Sequence, residues 1–251
     1  MKSLKRILPA VGTILLTFAG ILHAQQTPME MAGQLDETAT LPPPSLADVA
    51  GAADFIGLVQ VMDTDYEYQR EFPTGGTAYL RVLIPYKVNR PVPDIIDLYE
   101  EGLHEYECYF PDTSPGEEGQ RFLLFARDNP EVEGQFVGME QGCAMTVLVN
   151  RDNEYVLQYP LAGLEVSNQL GDLAVPVDYA DAHAVIEYED LEVEERNALL
   201  AAGFLEELED RTYKPTHGIS LSDFRQLIGE ENLTRDRSLL RRAADPYVVD
   251  P

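Results

Sequence analysis

Chemistry in this chain has few places to come from: four histidines, two cysteines and a large surplus of carboxylates. His104-Glu105-Tyr106-Glu107-Cys108 sets an imidazole, carboxylates and a thiol side by side, a donor set suited to zinc only while the thiol is free to ionise. Asp63-Thr64-Asp65-Tyr66-Glu67 spaces its acids as calcium ligands are spaced, yet lacks the glycine and distal glutamate of an EF-hand loop. A solvated turn after a strand is the simpler reading. Asp178, Asp181, His183, Glu187, Glu189 and Asp190 gather acids around an imidazole near an expected helix start, where carboxylates also complement the helix dipole. Thr216-His217-Gly218-Ile219-Ser220 places a His near a Ser, but a triad is a matter of geometry, not of sequence proximity. His23 lies in the N-terminal apolar segment. G-x-S-x-G, Ser-x-x-Lys, a phosphate loop and a dinucleotide fingerprint are all missing from the sequence. No cofactor and no metal are expected.

The first residues indicate where such chemistry would take place. Lys2, Lys5 and Arg6 precede an apolar run from Ile7 to Leu22, and Leu22-His23-Ala24 ends in a small residue. This is the layout of a signal peptide cleaved after Ala24. No later stretch reaches the roughly 18 apolar residues that a membrane span needs. The expected location is therefore secreted or periplasmic, without membrane insertion after cleavage. Cys108 and Cys143 are the only cysteines, so in an oxidising compartment they form the one intrachain disulfide available.

Charge narrows the partners. The chain carries 18 Lys and Arg against 44 Asp and Glu, a net −26. Removing residues 1–24 takes three bases and no acids, leaving −29. Such a field repels nucleic acid and anionic lipid. A partner is expected to be another exported protein or an envelope component. The only lysines beyond the signal are Lys87 and Lys214. An acid-rich, lysine-poor surface suits solubility in salty water, where self-repulsion is screened. A surface for a cation or a basic partner is the alternative.

These residues must be positioned by the elements around them. Residues 25–45 are polar and end in a proline run, a flexible leader. Ser45 caps a short helix. From Asp54 the hydrophobic period changes to two. Strands are expected at Ala53–Val61, Ala78–Val88, Gln120–Arg127, Ala144–Val149 and Glu154–Tyr159, with Ile95–Tyr99 a strand or a turn. Gly57 and Pro85 each imply a bulge or an edge within their strand. Arg151-Asp152-Asn153 turns the last two strands into a hairpin. Five or six strands in residues 46–160 predict a small closed barrel. Residues 161–178 are linker-like, 179–245 have helical character with Gly203 weakening one helix and Gly229 ending another, and 246–251 form a tail. The fold class is α+β: a small barrel followed by a helical region.

Cys108-Tyr109-Phe110, a turn with Gly119, Arg121-Phe122-Leu123-Leu124-Phe125-Ala126 and Gly142-Cys143 follow one another in the order of the netrin-like module. Ala53-Asp54-Phe55-Ile56-Gly57-Leu58-Val59 matches that module's opening strand, and Val82, Tyr86 and Lys87 match the next. Residues 46–150 thus resemble a family shared by netrin tails, complement C-terminal domains, tissue inhibitors of metalloproteinases and many bacterial secreted proteins. The resemblance implies a five-stranded OB-type barrel. The inhibitors of that family use an N-terminal cysteine to chelate protease zinc; a chain starting near Gln25 has none there, so that activity is not implied.

OB-type barrels bind on a strand face and its loops, which directs attention to Tyr79, Arg81, Tyr86 and Lys87 as a candidate surface. The function expected is a non-enzymatic, exported interaction module. The alternative is a periplasmic hydrolase or metal-dependent enzyme, its site between barrel and helices, using Asp181 or Glu187 with His183 or His217.

Overall fold

The computed structural model describes residues 43–103, 108–114, 117–140, 142–161, 163–164, 166, 168–208, 211–236 and 238–240. The expected signal, most of the leader, His104 and the tail lie outside them. Helix α1 (Leu46–Ala52) starts where expected, because Ser45 and Asp48 form a reciprocal capping box. The Ser45 hydroxyl accepts from the Asp48 amide at 3.2 Å. Its apolar stripe of Leu46, Val49 and Ala50 is buried. Lys87 donates to the carbonyls of Ala50 and Gly51 at 2.7 and 3.0 Å, closing the helix's C-terminal end.

Strands β1 (Phe55–Gln69), β2 (Phe72–Lys87), β3 (Ile95–Glu101), β4 (Arg121–Asp128) and β5 (Phe136–Val137) close a barrel. Their order is β1-β2-β3-β5-β4, with β4 returning to pair with β1. All these pairings are antiparallel except β3 with β5. This is the strand order of a five-stranded OB-type barrel. Gly57 stands opposite Pro85, between two register shifts, so the glycine and the proline mark the same bulge. Asp63 to Glu67 is not a turn: β1 continues through it with alternating exposure. The Cys108–Cys143 disulfide is present and ties the β3–β4 connection to the residue just before the strand at Ala144–Val149. Gly119 lies against β1 so closely that a Cβ there would overlap the Val61 carbonyl, and the Val61 amide donates to Gln120 at 2.9 Å.

The sheet carries a core on each side. Phe55, Val59, Leu80, Ile96, Leu98, Leu124 and Phe136 fill the barrel. Ile56, Leu58, Leu123 and Phe125, the alternating partners on β1 and β4, face outward into a second core. That core extends over β6 (Ala144–Val149) and β7 (Tyr155–Tyr159), which continue the sheet from β4. It is covered by α1, by Leu164 and Leu170 from the segment expected to be a linker, and by Phe224 and Ile228 near the C-terminus.

Beyond residue 173 the chain adds short strands to the helices expected there. These are β8 (Val175–Pro176), β9 (Ile186–Glu187), β10 (Leu205–Glu207), β11 (Thr212–Pro215) and β12 (His217–Ser220). β12 pairs with β7 and carries β8 on its other edge, while β10, β11 and β9 make a separate small sheet. Helix α2 (Val193–Ala202) ends at Gly203, whose φ of 79° supplies the left-handed cap. Helix α3 (Leu221–Leu227) is capped by the Ser220 hydroxyl, which accepts from the Asp223 amide at 3.2 Å.

Candidate functional site

Two regions gather the residues of interest. The first is the outward face of β2 and β3. Tyr79 lies opposite Asp97, Arg81 opposite Ile95, and Thr77 opposite Tyr99. The barrel-filling residues Ala78 and Leu80 alternate with them, so the outward placement follows from the strand period. Partial burial pushes the Asp97 carboxyl above its usual range. Desolvation, then the carboxylates of Glu101, Glu67 and Glu131, push the Tyr99 phenol up. Beside Tyr99 opens a cleft of about 730 Å³, walled by Glu101, Glu131, Glu140 and Arg127. The face is thus predominantly acidic.

Tyr86 and Lys87 do not join this face. The bulge at Pro85 places Tyr86 in the outer core with Leu83 beside it, 6.1 Å from the Phe224 ring. Lys87 is committed to the α1 carbonyls, and burial pulls its ammonium below the usual lysine range. Of the four residues, half-buried Tyr79 and exposed Arg81 share the outward face.

Beyond the edge of β3, the β1–β2 hairpin continues as a two-stranded arm. Its base is anchored: the Phe110 amide donates to the Tyr66 hydroxyl at 3.1 Å, and the Tyr66 and Tyr109 rings meet edge to face at 5.1 Å. Its tip carries Tyr68 and Phe72, 55% and 61% exposed.

The second region lies where residues 177–191 cross the sheet. Arg121 and Asp181 are only 9% and 6% exposed at their side chains and pair at 3.4 Å. Arg121 also pairs with Glu118, and that hydrogen bond is the main reason the Glu118 carboxyl lies below its usual range. Asp181 accepts from the amides of Val149 and His183, each at 3.0 Å. The His183 Nε2 lies 3.0 Å from the Glu118 carbonyl, so the imidazole donates there. Gln60 donates to Glu118 and to the Gly119 carbonyl, both at 3.2 Å. His183 separates two clefts of about 570 and 700 Å³. Glu187 lines the first and Asp181 the second.

The expected acid-and-histidine set is therefore brought together only in part. His217 is elsewhere: its ring meets Phe204 at 4.8 Å and its Nδ1 lies 2.8 Å from the Thr216 hydroxyl. Among the described residues no three His, Cys, Asp or Glu side chains form a metal-sized group. Arg121, Glu118 and Gln60 were not singled out in the sequence. The available signal was a charged residue opening an otherwise apolar strand. No family model, curated protein or solved structure matches the chain.

Proposed function

We propose that the chain is an exported, non-enzymatic interaction module that presents the outward β2–β3 face and the β1–β2 arm to a partner. The single observation that carries this reading is the arm's tip, where Tyr68 and Phe72 stand more than half exposed. Two large aromatics more than half exposed on an anchored hairpin gain little from burial in the fold. Aromatics of this kind are enriched at protein–protein contacts. OB-type barrels bind through this strand face and through the β1–β2 loop.

The acidic surroundings of Tyr79 and Arg81 favour a partner with a basic patch, since complementary charge speeds encounter. Export, with residues 1–24 as a cleaved signal, is supported by the basic-then-apolar N-terminus and by the disulfide. No described helix is long and apolar enough to cross a membrane. Membership of the netrin-like family is proposed on the strand order and on the place of the disulfide between the β3–β4 connection and β6.

Photo-crosslinking tests the reading. A photoreactive residue at position 72 or 79, introduced into the full chain in its own host, should give one discrete adduct whose partner mass spectrometry identifies. The same residue at Val175, on the far edge strand, should give none. Equal labelling from all three positions would discard the proposed face.

A further inference from the structure

The 570 Å³ cleft beside His183 has a wall that the fold does not account for. β6 and β7 bury Met145, Val147 and Leu157 in the outer core. On their opposite face Leu148 and Val156 are covered by Tyr179 and Ala184. Farther along that face the apolar pairs stop. Thr146 stands one register step beyond the Val147–Leu157 pair, and so faces Gln158 across the ladder. Gln120 lies on the same face, two residues before the Phe122 that pairs with Thr146 and so diagonal to Thr146. All three line the cleft.

Gln158 is only 7% exposed, and its amide makes no hydrogen bond among the described residues. No fully enclosed side-chain nitrogen or oxygen among those residues lacks a partner. The Gln158 amide therefore opens onto the cleft. With no protein partner, this amide is left to the solvent in the cleft, a place that a ligand group can take over. Departures of this kind concentrate at binding sites. The volume lies within the roughly 300–1,000 Å³ of ligand pockets.

The lining selects the ligand class. The sheet side offers amides and a hydroxyl, which donate and accept. The facing segment offers His183 and the carboxylates of Glu187 and Asp190. One Asp190 oxygen already accepts from the Glu187 amide at 3.0 Å. Two carboxylates repel an anion. A bare cation would leave the amide N–H groups without acceptors. A neutral molecule bearing several hydroxyls satisfies both walls, because each hydroxyl donates and accepts. We propose that this cleft binds a neutral sugar, with Gln158, Thr146 and Gln120 contacting its hydroxyls from the sheet and Glu187 accepting from the facing segment. Its source is either a free sugar or the end of an envelope glycan.

Saturation-transfer NMR of the mature chain against free neutral mono- and disaccharides, with co-sedimentation on purified envelope glycan, tests both sources. Calcium and sulfate serve as charged controls. The expected result is binding of a free sugar, which assigns the first source, or of the glycan alone, which assigns the second. Gln158→Met should weaken that binding about tenfold or more, the loss of one buried hydrogen bond, with a melting temperature unchanged or raised. Thr146→Val should weaken it too, and Phe72→Ser on the arm should leave it intact. Binding of no sugar from either source overturns the proposal. So does binding that both cleft variants leave unchanged, or a Gln158→Met chain that melts lower, since the amide would then have a partner in the fold.

Discussion

Strands β1–β4 and strands β8–β12 are held in place by different means. The barrel strands are seven to sixteen residues long and pair along most of their length, with a filled interior and an outer core. The later strands are two to four residues long. They are kept by a few anchors: the buried Arg121–Asp181 pair, the 2.6 Å bond from the Tyr179 hydroxyl to the His217 carbonyl, and Tyr188 between the guanidinium groups of Arg196 and Arg211. A long strand with alternating apolar residues carries its own reason to be in a sheet. A two-residue strand is there because something else holds it. Apolar burial adds to these anchors: Ile186, Leu205 and Tyr213 bury a small cluster of their own, Ile219 of β12 enters the outer core, and α3 after it places Phe224 fully buried against Phe125 and Tyr86.

The sharpest way to break this comparison is Phe224→Ala. If α3 belongs to the outer core, the loss is about 3–5 kcal/mol, as for other buried phenylalanines. Urea unfolding monitored by circular dichroism should show one transition at lower midpoint. A loss below about 1 kcal/mol would make α3 a passenger, within the range of surface changes. Next comes Asp181→Ala, which leaves the buried Arg121 guanidinium with Glu118 alone and frees two amides. About 3 kcal/mol is expected, since removing one partner of a buried pair is costly. Hydrogen exchange should rise first in residues 177–191 and leave β1–β4 protected. Uniform loss of protection would mean that both regions share one cooperative unit.

Removing the disulfide by Cys108→Ser with Cys143→Ser acts on the barrel side, across a sequence separation of 35. About 2–4 kcal/mol is expected from the freed loop, read as a lower urea midpoint in the chain purified without reductant. Acid should act more gently. Arg121 holds the Glu118 carboxyl low. Burial pushes Asp128 up, but Asn89 and Arg90 outweigh it and hold it low as well. With the folded value below the unfolded one, the unfolded chain takes the proton first as pH falls. The contribution is thus whole above roughly pH 5 and is lost as pH drops through the folded values. Arg121→Met should flatten the part of the acid melting curve that belongs to Glu118. The smallest effect belongs to Phe72→Ser, which should change stability by less than about 0.5 kcal/mol while weakening the crosslink made from position 79.

Much of the main sheet and its capping helix was legible because the signals are local. Ser45 caps α1 through a residue three places on. Ala144–Val149 shows a strand's composition, and Gly57 and Pro85 announced a bulge that the register places between them. The short strands were not legible, since two to four residues cannot display a period of two. The Leu/Ala/Glu-rich run 192–208 reads as one helix with Gly203 inside it; Gly203 instead ends the helix at Ala202, and Leu205–Glu207 becomes a strand. In the candidate sites, counting sufficed for Cys108 and Cys143. It could not place Tyr86, whose side chain α3 covers, nor Gln158, one amide in an apolar strand.

What the sequence by itself determined is therefore what neighbours along the chain decide: alternation, caps, bulges, the charge surplus and the single possible disulfide. Which charges meet was decided only by the tertiary structure. Arg121 and Asp181 are 60 residues apart and find each other because β6 draws the later chain across the end of β4. The Gln158 amide faces an open cleft because a segment from beyond residue 180 forms its other wall. Burial and pairing depend on elements that arrive from far along the chain, and no local pattern encodes them.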